Sequence, residues 1–380
     1  MSAPHRARAT ALRCVAALLA LGLGACSEDD APRRVGPAEA TSVSEVGGMD
    51  ALVRAAKKEG RLNAPTLLPR WANYGGLIKG FEKKYGIDVV VDMPYGSSQD
   101  EIDSMKRNRG KKSAPDVLDL GDSFAQSAAR QDLLAPYRVR GYDRIPDSQK
   151  DAEARWYNSY GGYVAIGCDT RRVKPCPVSF ADLLKPRYRG MVALNGNPTT
   201  AGSAFAAVYA AALANGGSFD DIGPGIEFFD RLERVGNFNA GNPNTAAIAR
   251  GDTPISIEWD FLNLKHVDEL RGTRVDWKVS IPFDGSFSQY YAQAINKDAP
   301  HPAAARLWEE YLYTDHAQNL RLVDYARPVL MDVMAEDGTL DKARAARLPT
   351  VEGAPHFPSE SELNEALRVV REDWATSGPN

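Results

Sequence analysis

Short apolar runs alternate with amphipathic stretches along most of this 380-residue chain, and that alternation restricts the possible folds more than any other feature. The run from Leu62 to Leu68 predicts a strand, residues 77–85 carry apolar side chains near the helical period, and Ile87 to Val91 predicts the next strand. Strands that alternate with helices form a parallel or mixed sheet with helices on both faces. The sequence therefore predicts an α/β fold.

Two stretches predict places where the chain passes from one lobe to another and back. The apolar run 164–167 predicts the outgoing crossing, and the stretch from Ile255 to Asn296 predicts the return. Within that return, Glu258, Trp259 and Asp260 place two carboxylates beside an indole, which is a poor core sequence. The length suffices for two domains with separate cores. Acidic and aromatic residues at a crossing are expected to face an interlobe cleft, where small-molecule sites usually lie.

The first 26 residues predict an export signal. Arginines precede an apolar run too short to span a membrane, and small residues follow up to Cys26. The tetrad Leu23-Gly24-Ala25-Cys26 is similar to the lipobox of bacterial lipoproteins, in which the cysteine carries the lipid and anchors the protein to the outer face of the cell membrane. The alternative is an ordinary signal peptide with an incidental cysteine. Residues 27–48, rich in Pro, Gly, Ser and charge, predict a flexible tether.

Cys168 and Cys176 are the cysteines that remain after the predicted signal and lipid site. Two thiols eight positions apart around a turn, outside the cytoplasm, predict a disulfide, with two free thiols as the alternative. They lack the CxxC or HxxxH partners of a metal site, so no metal is expected here.

Composition and motifs argue against several classes of function. The chain has 46 basic and 50 acidic residues, and the predicted signal removes three arginines and no acids, which leaves a net charge near −7. An acidic chain is a poor partner for nucleic acid. No GxSxG, HExxH, Walker loop or GxGxxG at a strand-to-helix junction appears, so we expect neither catalysis nor a cofactor. The alternatives are a secreted glycoside-active enzyme using Glu258 and Asp260, or a surface adhesion protein.

Three segments carry a resemblance to a known family: residues 183–192 (LLKPRYRGMV), 163–169 (YVAIGCD) and 295–308 (INKDAPHPAAARLW). They resemble the type II periplasmic solute-binding proteins of ABC transporters, in the branch that takes up polyamines, thiamine, ferric iron and aminoethylphosphonate. The resemblance spans residues 49 to about 335. It implies a monomer that closes over a small solute and delivers it to a membrane permease.

The resemblance also implies a domain organisation. We expect a two-lobed type II fold with mixed sheets, helices on both faces, an interlobe cleft and a two-stranded hinge. The expected bounds are 49–160 with 284–318 for lobe 1, 161–283 for lobe 2, and 319–380 for C-terminal helices that pack across both lobes.

For the ligand, the resemblance points to Trp259 and Asp260, which occupy the place of the Trp and Asp that meet the amine in polyamine binders. An ammonium group gains from a carboxylate and, by about 0.5–2 kcal/mol, from an indole face. We therefore expect an amine-bearing solute. Further ligand-binding residues are expected at Trp71, Tyr74, Ser98, Asp122, Thr200, Tyr290 and Tyr291.

Several of these residues have a second interpretation. Asp260 is an ordinary N-cap for the helix that follows it, and Asp119 and Asp122 either face the cleft or cap a helix. The adjacent Tyr290 and Tyr291 resemble the tyrosine pair of ferric-iron binders, but here they follow the return crossing, and adjacent strand residues point to opposite faces.

A phosphonate or phosphorylated solute is a further alternative. The polar groups available for it are Arg70, Ser97, Ser98, Thr199 and Thr200, and the threonines precede a helix N-terminus whose free N–H groups suit an anion. A zwitterion such as an aminophosphonate would engage both the acidic and the anion-binding sets.

Overall fold

A computed structural model of the chain describes residues 34–351 and 357–378. The predicted signal peptide with Cys26 and residues 27–33 of the predicted tether lie outside the described residues. The strands are β1 Arg61–Asn63, β2 Asp88–Val90, β3 Val117–Gly121, β4 Leu134–Ala135, β5 Trp156–Asp169, β6 Val192–Leu194, β7 Phe238–Asn239, β8 Ile255–Trp259, β9 Trp277–Ser280, β10 Ser288–Asn296 and β11 Arg327–Pro328.

The helices separate these strands along most of the chain. They are α1 Met49–Glu59, α2 Tyr74–Tyr85, α3 Ser98–Arg107, α4 Asp122–Arg130, α5 Phe180–Leu183, α6 Gly202–Ala214, α7 Gly223–Arg234, α8 Thr245–Arg250, α9 Asp260–Glu269, α10 Pro302–Leu312, α11 Asp315–Arg321, α12 Met331–Glu336, α13 Lys342–Ala345 and α14 Glu360–Ser377.

Within the described residues, one nine-stranded sheet has the order β3-β10-β5-β8-β6-β7, with β4 beside β10 and with β9 and β11 beside β5. β6 pairs in parallel with β7 and β8, whereas β10 pairs antiparallel with β3 and β5. β1 and β2 form a separate parallel pair. The predicted α/β class with mixed sheets is confirmed.

Strand β5 joins the two ends of the large sheet. Its fourteen residues are all buried, its first part pairs with β10, and its last part pairs with β8 and β9. Between β9 and β10 the chain passes from the last part of β5 to the first part. The name β3 half is used below for β1–β4, β10, α1–α4 and α10. The name β8 half is used for β6–β9 and α5–α9. The predicted lobe boundaries stay a prediction.

The two halves touch at the N-terminus of α6. This Ala-rich helix is buried on all sides from Gly202 to Ala212, as expected for a helix that is apolar all round. A Cβ atom added to either Gly121 or Gly202 would lie 3.1 Å from the Cα of the other. Because side chains at these positions would collide, the glycines set how closely the halves approach.

The helix α14 contacts both halves. It begins with a capping box in which Ser359 and Glu362 satisfy each other's backbone N–H groups. Its buried face packs on α4 of the β3 half and on α7 of the β8 half. The ring of Trp374 lies 5.6 Å from that of Phe229 in α7.

Residues 34–48 differ from the predicted flexible tether. Ala40 is fully buried, and Arg306 of α10 donates from Nε to the Ala40 carbonyl at 2.8 Å and from Nη2 to the Ala38 carbonyl at 2.9 Å. A buried guanidinium needs acceptors, and this segment supplies them. The prediction of a tether is therefore wrong for residues 34–48.

The predicted disulfide is confirmed. Cys168, near the end of β5, is bonded to Cys176 in the following loop, with the two Cα atoms 5.9 Å apart. Among the described residues, no helix combines the length and the apolar character needed to cross a bilayer.

Candidate functional site

A cavity of about 930 Å³ lies between the β3 half and the β8 half. From the β3 half it is lined by the segment after β1, the first turn of α3, Asp119 and Tyr291. From the β8 half it is lined by the loop after β6, the starts of α6 and α8, Glu258 and one side of α9. Its size is that of a small-molecule site, and its position between the halves is where such sites are usually found.

On the β8 side, the cavity wall carries the carboxylate of Glu258. This side chain is 1% exposed, and its Oε2 accepts one hydrogen bond, from Asn195 Nδ2 at 2.8 Å. Its Oε1 lies 3.2 Å from His266 Nε2 but has no hydrogen bond. A buried carboxylate oxygen without a donor is unusual in a folded protein. Glu258 Oε1 is thus a covered acceptor beside the cavity, with the His266 imidazole as the basic group next to it.

On the β3 side, two further acids line the cavity. The backbone N–H of Asp119 donates to Glu101 Oε2 at 3.0 Å. Burial and then the neighbouring Asp119 raise the pKa of Glu101 well above its ordinary value. Burial also raises the pKa of Asp119, and the nearby Arg321 opposes that shift. Because two like charges so close disfavour each other, we take the proton to be on Glu101 and the negative charge on Asp119.

A buried network holds Asp119 in place. Tyr160 donates to its Oδ2 and Gln293 to its Oδ1, each at 2.6 Å. The Arg321 guanidinium lies between the rings of Tyr74 and Tyr160, 4.2 and 4.1 Å from their centres. Asp119 thus has a guanidinium beside it, whereas the basic group beside Glu258 is the His266 imidazole, 3.2 Å from its Oε1.

Aromatic rings form part of the same wall. Trp71 donates from Nε1 to Tyr160 at 2.6 Å, and its ring meets that of Tyr291 edge to face at 5.5 Å. Tyr95, 88% exposed, lies on a loop that lines the cavity. Indole and phenol faces beside carboxylates make a wall that attracts organic cations.

Arg70 is the one arginine or lysine among the cavity-lining residues of the described chain, and it is paired with a carboxylate. Although it belongs to the β3 half, its Nη2 lies 2.7 Å from Glu269 Oε2 on α9, and it also contacts Thr245. The lining contains five acids, which are Asp100, Glu101, Asp119, Glu258 and Glu269. The cavity wall is therefore acidic overall.

The start of α6 gives the cavity a second kind of polar group. No side chain caps this helix, and Ser203 in its first turn is 4% exposed with an Oγ that has no hydrogen-bond partner. Free N–H groups at a helix N-terminus suit an anionic group.

The structure places four of the predicted ligand residues at the cavity: Trp71, Ser98, Thr200 and Tyr291. Ser98 is held by Gly121, whose N–H donates to its Oγ at 3.0 Å, and Thr200 contacts the Asn197 carbonyl. The N-cap of α3 is Ser97, with Asp100 as its partner in a capping box. Of the residues proposed for a phosphonate, Arg70 and Ser97 also line the cavity, and Thr199 does not.

Asp260 and Trp259 do not line the cavity, which corrects the predicted amine site. Asp260 is fully buried, ion-paired with Arg327, and accepts hydrogen bonds from the N–H groups of Tyr163 at 3.0 Å and Phe261 at 2.9 Å. Burial raises its pKa, and Arg327 opposes the shift. Trp259 is 1% exposed and donates from Nε1 to Tyr291 at 3.2 Å.

Three further predicted residues also lie elsewhere. Tyr74 is fully buried in α2 and hydrogen-bonds Gln293, Asp122 opens α4, and Tyr290 packs against Phe357. Since Tyr291 faces the cavity and Tyr290 does not, the two phenols cannot hold one iron ion there. In the described part of the chain, no group of three or more His, Cys, Asp or Glu side chains is placed to bind a metal.

Glu258, Glu101 and His266 were not predicted as ligand residues. Glu258 was expected to face the cleft with its neighbours, but a specific role was given to it only as a catalytic partner of Asp260, and that pairing is absent because Asp260 is bound to Arg327. One signal was available: Glu258 is the last residue but one of an apolar strand, and ligands in α/β sheets gather at strand ends.

The chain is similar to known proteins at two levels. Residues 112–349 match the family described as bacterial extracellular solute-binding protein. No curated protein matches the chain.

Solved structures show the same fold at low identity. A structure of AgtB from A. tumefaciens R10 in complex with agropinic acid has 17% identity and a TM-score of 0.66, with 83% of this chain and 98% of that chain covered. A putative spermidine/putrescine ABC transporter from Listeria monocytogenes has 13% identity and a TM-score of 0.62, covering 82% and 99%. Iron-bound HitA from Pseudomonas aeruginosa has 17% identity and a TM-score of 0.59, covering 82% and 98%.

Proposed function

Because the chain belongs to the family of bacterial extracellular solute-binding proteins, we propose that it captures a small amine-bearing solute, similar to a polyamine, for an ABC importer. The solute binds in the cavity between the β3 and β8 halves and is passed to a membrane permease. The protein performs no chemistry on it, and acts as a monomer.

The observation that carries the amine assignment is the Glu258 carboxylate. It is removed from solvent, it has no arginine or lysine partner, and its Oε1 accepts no hydrogen bond. A primary ammonium supplies both the charge and the N–H donor that this oxygen lacks. Asp119 and the ring faces of Trp71 and Tyr291 favour the same charge from the β3 half.

The positions of these groups explain why a bound solute would hold the two halves together. Glu258 belongs to the β8 half, and Asp119, Trp71 and Tyr291 to the β3 half, so a cation in the cavity touches both. A ligand that contacts both halves stabilises the state in which they are together. That closed state is the form we expect the permease to recognise.

The N-terminal segment supports a position at the membrane. A lipid on Cys26 would hold the binder beside its permease and raise its local concentration there. This part of the proposal rests on the lipobox-like tetrad Leu23-Gly24-Ala25-Cys26.

A second candidate is a zwitterion that carries an anionic group as well as the amine. Ser203 Oγ has no partner and lies at the start of α6, where uncapped N–H groups favour an anion. An aminophosphonate or an amino acid would place its anion there and its ammonium at Glu258.

A thermal-shift panel tests both candidates. The panel contains putrescine, spermidine, thiamine, 2-aminoethylphosphonate and ferric citrate, with Glu258→Gln as the matched isosteric variant. A ligand present at 100 times its dissociation constant adds about 2.7 kcal/mol to the unfolding free energy, which gives a clear rise in melting temperature. We expect a shift with an amine that is lost in Glu258→Gln. Shifts with ferric citrate alone, or equal amine shifts in both proteins, contradict the proposal.

A further inference from the structure

The C-terminal helix α14 crosses the line where the two halves meet. On the β3 side, its first residue Glu360 lies 3.5 Å from Arg130 of α4. On the β8 side, the Tyr209 hydroxyl of α6 donates to the Glu362 carbonyl at 3.2 Å, and Trp374 packs on Phe229. The helix is thus attached to both halves.

Near the C-terminal end of this helix, Arg371 binds two residues that are chain neighbours of the cavity-lining Ser98 and Thr200. Its Nη2 donates to Gln99 Oε1 at 2.6 Å, and its Nε donates to the Thr199 carbonyl at 3.4 Å. Gln99 lies in the first turn of α3 in the β3 half, and Thr199 precedes α6 in the β8 half. One guanidinium therefore holds the two segments that bring Ser98 and Thr200 to the cavity.

A direct contact at the same place shows that the halves are together. The Gln99 N–H donates to the Thr200 carbonyl at 3.2 Å. Arg371 donates to Gln99 in the β3 half and to Thr199 in the β8 half. Moving the halves apart therefore breaks at least one of these hydrogen bonds.

We propose that Arg371 is a positioning residue for ligand binding, and that α14 acts as a strap which favours the closed cavity without touching the solute. The ligand-binding part of this inference rests on the proposed function, whereas the closure part does not. Losing one charge-assisted hydrogen bond of the closed state shifts its equilibrium by about tenfold, or about 1.4 kcal/mol.

Arg368 provides a matched control. It lies three positions earlier on the same helix, and its guanidinium pairs with Glu365 and Glu372 of α14 itself. Arg368→Ala removes an arginine from α14 but does not change the contacts of Arg371 with the two halves.

The first test measures closure without any solute. Spin labels on Lys79→Cys in α2 and Arg231→Cys in α7, two exposed positions, report the distance between the halves by electron paramagnetic resonance. We expect Arg371→Ala to raise the ratio of long to short distances by about tenfold. Arg371→Lys should give an intermediate ratio, and Arg368→Ala should match the parent. Identical distributions for Arg371→Ala and the parent overturn the inference.

The second test measures binding, with spermidine as the probe. Arg371→Ala should weaken spermidine binding by a similar factor of about ten, mainly through faster dissociation. Gln99→Ala should reproduce the effect from the β3 side without altering α14, which covers the case in which Arg371→Ala fails to fold. If the parent protein does not bind spermidine, that part of the amine proposal fails, while the distance measurement still decides the role of Arg371. An unchanged dissociation rate in both variants contradicts a positioning role.

Discussion

Glu258 and Asp260 are two residues apart, yet they occupy opposite kinds of environment. Glu258 lines the cavity with one hydrogen-bond donor, Asn195, and an oxygen that has none. Asp260 is excluded from the cavity and is satisfied by Arg327 and two backbone N–H groups. The difference teaches that a carboxylate available for a ligand is the one that the protein leaves without an arginine or lysine and without a full set of hydrogen-bond donors.

The local backbone explains why these neighbours diverge. Along a strand, residues two apart point to the same face. Here β8 ends at Trp259 and α9 begins at Asp260, so the strand alternation stops between the two acids. As the first residue of α9, Asp260 turns back onto β5, where Tyr163 binds it.

The largest effect on the unfolding free energy is expected from removing the Asp260 carboxylate. Asp260→Ala leaves Arg327 buried without its carboxylate, and should lower the unfolding free energy by about 3–5 kcal/mol. Urea denaturation measures this loss. Replacing both partners, Asp260→Leu with Arg327→Met, should recover most of it. A loss below about 1 kcal/mol for Asp260→Ala is inconsistent with a structural ion pair.

The glycine contact below the cavity gives the next largest effect. Gly202→Ala adds a Cβ 3.1 Å from Gly121 Cα and 3.4 Å from the Tyr291 hydroxyl, so Gly121 must move away by a few tenths of an ångström for the halves to approach as they do here. We expect the affinity for an amine that binds the parent to fall by about 30-fold, which equals about 2 kcal/mol.

The neighbouring Ala204→Gly serves as a control for that variant. It changes the same helix without adding an atom between the halves. If Gly202→Ala binds as tightly as the parent in isothermal titration calorimetry, close approach of the two glycines is not needed for binding.

Tyr291 links the two environments, because it lines the cavity and also accepts the hydrogen bond from Trp259. Tyr291→Phe leaves the buried Trp259 N–H without an acceptor, which should cost about 1–2 kcal/mol of unfolding free energy. The ring face remains, so amine affinity should change by less than about threefold. A large affinity loss with unchanged stability would mean that the hydroxyl, and not the ring, meets the solute.

The smallest effect concerns Asp122, a carboxylate predicted for the site and found outside it. Burial, and then the nearby Glu360, raises its pKa to about 7. Since the folded state holds this proton more tightly than the unfolded state, stability should fall as the pH rises from about 4 to about 7. Asp122→Asn should remove this part of the pH dependence, which we take as about 1 kcal/mol because the residue is partly exposed.

Urea denaturation at pH 5 and pH 8 checks the Asp122 prediction, with amine affinity measured on the same samples. The affinity should not change. Parallel stability curves for the parent and Asp122→Asn would show that Asp122 does not carry the raised pKa.

The fold was predictable from periodicity, because strand and helix patterns depend on local sequence. The alternation of elements, the strands within Ile255 to Asn296 and the Cys168–Cys176 bond all appear in the structure. The packed segment 34–48 was not predictable from its composition. Its order comes from Arg306, which is more than 250 residues away along the chain.

The site was predictable only in part. Trp71 and Tyr291 were expected among the ligand residues, and both line the cavity. The choice between Glu258 and Asp260 depended on Arg327, a partner in the C-terminal region that no local pattern connects to α9. Which acid is neutralised is a tertiary property, and sequence spacing does not contain it.

The most direct test of the account compares Glu258→Gln and Asp260→Asn in isothermal titration calorimetry with the amine that gives the largest thermal shift. The temperature must lie well below both melting midpoints, because Asp260→Asn is the less stable variant. We predict that Glu258→Gln loses about 30-fold or more in affinity, since a charged hydrogen bond contributes about 2 kcal/mol, whereas Asp260→Asn stays within about threefold. The reverse order would place the ammonium at Asp260 and contradict the account.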